Sequence, residues 1–168
     1  MTDLHPNFKY ADSFTQKLEK QIQPNIQEVK NGKFITEILD GVFPIEGINF
    51  WIEQTYHLVM NDMGNLSLYV AKARNLKELD FFLFMTIAEK MMLESHYLLL
   101  KAANISHDRL ANSQPALECS YRTNYFSKLA ITAKPGEIAL GILLNFPVWA
   151  AGAKALSKGL KKNYGFGK

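Results

Sequence analysis

Residues 33–70, KFITEILDGVFPIEGINFWIEQTYHLVMNDMGNLSLYV, decide the fold of this chain. A short apolar segment at 34–39 is followed by Asp40-Gly41, and glycine supplies the left-handed backbone that commonly ends a helix. Pro44 suits the first turn of a second helix because its φ angle is already helical. Apolar side chains then recur every three or four residues, which predicts a long helix with one buried face. These residues are Ile45, Ile48, Ile52, Tyr56, Val59, Met63, Leu66 and Val70.

The rest of the chain shows the same helical periodicity. We predict helices at about 8–22, 34–39, 45–73, 78–103, 115–132 and 137–162, with a brief turn at 106–110. Pro24 is expected to end or restart the first helix, because proline lacks the backbone N–H. No segment shows the alternation of a strand. The sequence therefore predicts an all-α fold, in which residues 1–168 form one bundle of long helices with short loops.

Composition and charge exclude several functional classes. The 168 residues are 48% apolar, carry a net charge of +3 and include one cysteine. A single Cys119 excludes an intrachain disulfide and a multi-cysteine zinc site. The basic residues form no dense face, so we expect no nucleic-acid partner. The polar N-terminus lacks the apolar core of a signal peptide, which favours a cytoplasmic protein.

One apolar stretch, 138–153, must be compared with a membrane span. Asn145 and Pro147 interrupt it, and its uninterrupted length falls short of the ~20 residues that a bilayer needs. We therefore expect a buried core helix and no membrane partner. Pro147 should kink this helix. Small residues leave a smooth surface for close helix approach, within the fold or between subunits; they are Gly141, Ala151, Gly152, Ala155 and Gly159.

The helix at 78–103 carries two ionisable residues in its inward stripe. That stripe consists of Phe82, Met85, Glu89, Met92, His96, Leu99 and Ala103. Glu89 and His96 are seven residues apart, so their Cα atoms lie ~10.5 Å apart along one face. Both side chains can converge on a ligand or a metal ion between them. The alternative is that each pairs with a neighbouring helix and only fixes the packing, because a buried carboxylate needs a partner.

Two further pairs are candidates for chemistry. Glu53 and His57 lie one helical turn apart and either bind a metal ion or form a solvent-facing pair, which we favour. Tyr121 and Tyr125 are also one turn apart, and phenols on an inner face can hold a polar heterocycle; ordinary packing is the alternative. Cys119 would act as a nucleophile only beside a base or a positive charge.

With these residues in hand, the chain resembles the TenA/thiaminase II family of the heme-oxygenase-like superfamily, which also includes the PqqC-like proteins. The resemblance covers about residues 34–156. It rests on LDGVFP at 39–44, FWIEQ at 50–54, the helix that carries Glu89 and His96, and GEI at 136–138. It implies an all-α bundle with a central pocket, in an oligomer. It also implies the hydrolysis or salvage of thiamin-derived aminopyrimidines, with Glu89 and His96 as the catalytic pair.

This resemblance implies ligand-binding positions at Gln54, Thr55, Asn145 and Trp149, which add to the candidate pair Tyr121 and Tyr125. Several depart from the family pattern. Thr55 stands where the family has a pyrimidine-binding aspartate, and Leu58 replaces a tyrosine. Asn145 replaces the catalytic cysteine, and Trp149 replaces a tyrosine. The family also continues with two more helices, one holding a catalytic glutamate, which this chain lacks. Cysteine-based hydrolysis is therefore not expected.

Two alternatives share the fold. One is a non-heme metal oxidase, in which Glu89 and His96 resemble part of a di-iron ligand set; the next expected carboxylate falls near Ala151, which cannot ligate a metal. The other is a non-catalytic, oligomeric regulator. The sequence thus predicts a small aromatic heterocycle as the main ligand, a homo-oligomer, and no required cofactor apart from a possible metal ion at Glu89 and His96.

Overall fold

The computed structural model describes residues 13–167, and every regular element in this range is a helix. The helices are α1 Ser13–Asn31, α2 Lys33–Asp40, α3 Ile45–Ala71, α4 Leu76–Ala102, α5 His107–Asn112, α6 Leu117–Thr132 and α7 Pro135–Asn163. The all-α fold is confirmed, and the predicted bounds of α2, α3, α4 and α7 agree to within two residues. The predicted start of α1 at Phe8 lies outside the described residues.

Pro24 does not end the first helix, so this prediction is wrong. The residue lies inside α1, which continues to Asn31. Proline removes the N–H that would bond to the carbonyl of Lys20. Both Lys20 and Pro24 are exposed, so solvent can hydrate that carbonyl. A proline on an exposed face can therefore be accommodated, whereas a buried one would leave an unsatisfied carbonyl.

The structure divides into two compact groups of residues. The first comprises 13–42 and 140–165, and the second comprises 43–139 with 166–167. In the first group, Gly41 ends α2 with a φ of 76°. The Val42 N–H then donates to the Glu37 carbonyl at 3.0 Å. This is the left-handed helix end that Asp40-Gly41 predicts.

The C-terminal part of α7 packs closely on α2 in the first group. A Cβ atom at Gly159 would lie 2.7 Å from Ile38 Cγ2 and 2.8 Å from the Ile38 carbonyl oxygen, so only glycine fits there. Asn163 Nδ2 donates to the carbonyls of Ile38 and Leu39 at 3.1 and 2.8 Å. The prediction that small residues of the last helix permit close approach is confirmed at this position.

The apolar part of α7 is less buried than expected. Ile138 and Gly152 are buried, but only 11% of the most apolar 18-residue window of α7 is buried. By length and composition alone, α7 is a candidate membrane span. The expectation of a buried core helix is therefore met at only a few positions of this window, and the absence of a membrane partner stays a prediction.

In the second group, α3 is the central element and packs against both α4 and α6. Ile48 and Ile52 of α3 are fully buried, as the stripe predicts. Asn75 caps α4 by accepting from the Glu78 N–H. The Tyr69 hydroxyl donates to the Phe126 carbonyl at 3.2 Å and ties α3 to α6. The helices α3, α4 and α6 thus pack around a small set of polar residues.

Candidate functional site

An ion pair between α3 and α6 is the centre of the polar site. Arg122 Nη1 and Nη2 donate to Asp62 Oδ1 and Oδ2 at 3.0 and 2.8 Å. Two parallel bonds of this kind fix both side chains in one orientation. Both side chains are half-buried. The pair therefore places a fixed, mutually neutralising set of charges between the helices.

Glu89 reaches the same region from α4. Its carboxyl group is half-buried and makes no hydrogen bond or ion pair with any residue that the structure describes. Burial, followed by the nearby charge of Asp62, raises the pKa of Glu89 to about 7, although Arg122 acts in the opposite direction. An acid with a pKa near neutrality can both give and take a proton under physiological conditions. Glu89 thus has the property expected of a functional carboxyl group.

Cys119 is not an activated nucleophile. Its side chain is buried, and the Sγ–H donates to the Gln54 carbonyl at 3.6 Å. Burial raises the pKa of the thiol, with Arg122 opposing this effect and Asp62 adding to it. The thiolate is therefore disfavoured, and a positive charge nearby does not overcome desolvation.

His96 is engaged in packing. It is buried, and its Nε2 lies 2.8 Å from the Ile52 carbonyl. Because a carbonyl only accepts, Nε2 must carry the proton and donate it. The ring also stacks on Tyr56 at a centroid distance of 6.3 Å. Burial lowers the pKa of His96, which favours the neutral ring.

The residues present do not fit the metal centre suggested for Glu89 and His96. Within the described part of the chain, no three His, Cys, Asp or Glu side chains are grouped so that they could hold a metal ion. The Nε2 atom of His96 is already used as a donor to Ile52. A metal site normally needs three or four ligands from the protein, and Glu89 and His96 do not supply them.

Gln54 and Thr55 are both buried in α3. Gln54 Nε2 donates to the Gln114 carbonyl at 3.2 Å, and its Oε1 accepts from the Ala116 N–H at 2.6 Å. Thr55 Oγ1 donates to the Trp51 carbonyl at 2.9 Å. The amide that the resemblance assigns to a ligand is therefore bound by the main chain between α5 and α6.

The prediction that Glu53 and His57 form a solvent-facing pair is wrong. Glu53 is buried, and its Oε1 forms an ion pair with Nε of Arg109 on α5. His57 Nε2 lies 2.8 Å from Ser113 Oγ. The segment around α5 covers this face of α3. Glu53 and His57 therefore bind that segment and do not face solvent.

The tyrosines of α6 do not lie on an inner face. Tyr121 is 66% exposed and Tyr125 is 55% exposed, because the inner face of α6 is formed by Cys119 and Phe126. Asn145 and Trp149 lie half-buried on α7 in the first group. The Trp149 ring lies 6.4 Å from the Phe146 ring.

Asp62 and Arg122 were not identified from the sequence. They are 60 residues apart, and neither belongs to a recognised motif. The sequence does contain a signal for this pair, because Asp62 and Arg122 are charged residues at positions of an otherwise apolar helical stripe. Asp62 follows Val59 and precedes Leu66, and Arg122 lies between Cys119 and Phe126 at helical intervals. A charge at such a position needs a partner from a neighbouring helix.

The fold and site define an all-α protein with a polar, titratable site between α3, α4 and α6. Residues 19–165 match the sequence profile of the TENA/THI-4/PQQC family. The chain belongs to this family, and the resemblance given by its motifs is confirmed. No curated protein matches the chain.

Proposed function

We propose that this TenA-like protein binds a small amino-substituted aromatic heterocycle, of the thiamin-pyrimidine type, between α3, α4 and α6. The observation that carries the proposal is the half-buried carboxyl group of Glu89, which no described residue binds and whose pKa is about 7. A protonated carboxyl group donates to a ring nitrogen, and a carboxylate accepts from an amino group. The same group can therefore bond a ring nitrogen or an amino group of an aminopyrimidine, according to its protonation state.

The electrostatics of the site support a ligand that exchanges a proton. Asp62 and Arg122 neutralise each other through two hydrogen bonds, so the net charge there follows the state of Glu89. A weakly basic ring nitrogen can take the Glu89 proton on binding, which leaves an ion pair in a poorly hydrated place. Such a pair is stronger there than at the surface.

We propose binding with proton transfer, of the salvage type, and not hydrolysis by a cysteine. Asn145 stands where the family resemblance expects the nucleophile, and the carboxamide cannot form a thioester. Cys119 is buried with a raised pKa. Any reaction at this site would use Glu89 as a general acid or base.

The test is a thermal-shift titration with 4-amino-2-methylpyrimidine, its 5-hydroxymethyl derivative and thiamin. A ligand at a hundred times its Kd should add ~2.7 kcal/mol to the free energy of unfolding. We expect these ligands to stabilise the wild type and the control variant Glu94→Gln. In the wild type, the Glu94 carboxylate is exposed and bonds Lys90 on the same helix. Glu89→Gln should lose the response.

The alternatives give different results in the same experiment. No stabilisation by any of these compounds would contradict the proposal and favour a non-catalytic regulator. Iron or manganese bound at one equivalent and lost in His96→Ala would contradict it in favour of the metal oxidase.

We also propose that the protein is a cytoplasmic homo-oligomer. The outward face of α4 carries Ile87, Met91 and Leu98, which are 52%, 61% and 71% exposed. These residues lie on one side of the helix, opposite Glu89 and His96. An exposed apolar row of this kind is typical of a subunit interface. The lone, buried Cys119 suits a reducing compartment.

A further inference from the structure

We propose that residues 104–116, which include α5, form a hinged flap that opens from α3 and uncovers Gln54. Entry of a ligand through this opening rests on the proposed function, whereas the opening itself does not. Four features of the second group carry the inference: a polar attachment to α3, a thin apolar anchor, hinges at both ends, and the nature of the surface beneath.

The attachment to α3 consists of polar side chains from one and a half helical turns. Glu53 pairs with Arg109, and His57 bonds Ser113 at 2.8 Å. Gln54 donates to one main-chain group and accepts from another in the stretch 114–116. Every one of these contacts can be exchanged for water when the segment moves away, so opening leaves few groups unsatisfied.

The apolar anchor of the segment is thin. Of residues 104–116, only Ile105 and Leu110 are buried, and the other eleven are exposed or half-exposed. The helix α5 has six residues, too few to be stable without its surroundings. Segments with few buried apolar contacts open at a lower free energy than the core helices.

Both ends of the segment have backbone conformations suited to hinges. Asn104 has a φ of 55° and is the only non-glycine residue with a positive φ in the range 13–167. Asparagine tolerates this left-handed conformation better than most residues. At the other end, Ser113 and Ala116 are extended on either side of Pro115. Rotation about the N–Cα bond of Ala116 turns its N–H away from Gln54, while its carbonyl keeps the 2.9 Å bond from the Ser120 N–H, so α6 stays in place.

The surface beneath the segment is where a ligand would gain most from the opening. The Gln54 carboxamide presents one donor and one acceptor side by side, and the main chain of 114–116 fills both. The edge of an aminopyrimidine offers the same complement, since its ring nitrogen accepts and its amino group donates. The closed flap thus occupies a recognition edge that the open flap makes available.

Amide hydrogen exchange without any ligand tests the flap, so its outcome is independent of the thermal-shift test of function. In the wild type, the amides of 107–112 and of Ala116 should exchange at least tenfold faster than those at the centres of α3 and α4. Arg109→Ala should accelerate exchange in 104–116 by about ten- to a hundredfold, because it removes the ion pair with Glu53 and leaves that buried carboxylate without its cation in the closed state. Exchange in α4 and α6 should not change.

A matched control and a second variant keep the test decisive. Arg74→Ala removes a comparable arginine, which bonds Glu78 at 2.7 Å, and should leave exchange in 104–116 unchanged. Ser113→Ala removes a milder contact and should accelerate the same amides if Arg109→Ala fails to fold. Exchange of 104–116 at the same rate as α3 in all variants, or acceleration throughout the chain, would show that the segment opens only by global unfolding and would overturn the proposal.

Discussion

Replacing Glu89 by glutamine should make the protein more stable at alkaline pH and not at acid pH. In the folded protein, burial and the nearby charge of Asp62 raise the pKa of Glu89 from its ordinary value of 4.5 to about 7. Between pH 4.5 and 7, Glu89 is therefore protonated in the folded state but mostly ionised in the unfolded state. The wild type should lose stability as the pH rises from about 4.5 through 7. Glutamine keeps the shape of the side chain but cannot ionise.

The difference between 4.5 and about 7 corresponds to at most ~3 kcal/mol. Because the carboxyl group is only half-buried, water will recover part of this cost, and we expect about 1–3 kcal/mol at pH 8. At pH 5 the Glu89 side chain is neutral in the folded wild type but about three-quarters ionised in its unfolded chain, so the difference between the two proteins should be below ~1 kcal/mol. Each kcal/mol corresponds to a change in Tm of about 2–4 °C for a chain of this size.

The assay is urea unfolding at pH 5, 6, 7 and 8 for the wild type, Glu89→Gln and Glu94→Gln. Differences between proteins cancel the titration of distant groups that all three share. Glu94 is exposed on the same helix as Glu89, so its replacement is the control for removing a carboxylate that is not half-buried. A Glu89→Gln difference that stays constant from pH 5 to 8, or that becomes destabilising at pH 8, would refute the reasoning.

Three other substitutions test separate features. His96→Ala removes the bond to the Ile52 carbonyl and a buried ring, and should lower the free energy of unfolding by about 2–4 kcal/mol, measured in urea. Gly159→Ala places a methyl group 2.7 Å from Ile38 and should cost about 1–3 kcal/mol; an unchanged midpoint would contradict the close approach. Ile87→Glu puts a charge on the exposed face of α4 and should reduce the molar mass measured by light scattering without lowering Tm.

The fold could be predicted largely because helices are local. The spacing of Ile48, Ile52 and Val59 in α3 follows from one turn of backbone, and all three are buried. Asp40-Gly41 ends α2 as its chemistry requires. Pro24 differs from the prediction because the cost of a proline depends on whether its face of the helix is buried, and the local sequence does not determine this.

The site could be predicted only in part because its contacts are not local. Glu89 stood out as a carboxyl group in an apolar stripe, and the structure leaves it without a hydrogen bond from the described residues. The local sequence favours a solvent-facing Glu53, because Arg109, which pairs with it, comes 56 residues later. Asp62 and Arg122 were missed for the same reason. Pairing between helices depends on how they pack, which periodicity does not determine.

The packing of Gly159 and Asn163 on α2 has a consequence for synthesis of the chain on the ribosome. The side-chain bonds from Asn163 span 125 and 124 residues to Ile38 and Leu39. At about 5–20 residues per second, α1 and α2 wait roughly 6–25 s for the helix that covers them. During that interval the apolar side of α2, with Ile35 and Ile38, remains unprotected. Incomplete chains on the ribosome should therefore need chaperones at this stage more than the complete, folded protein does.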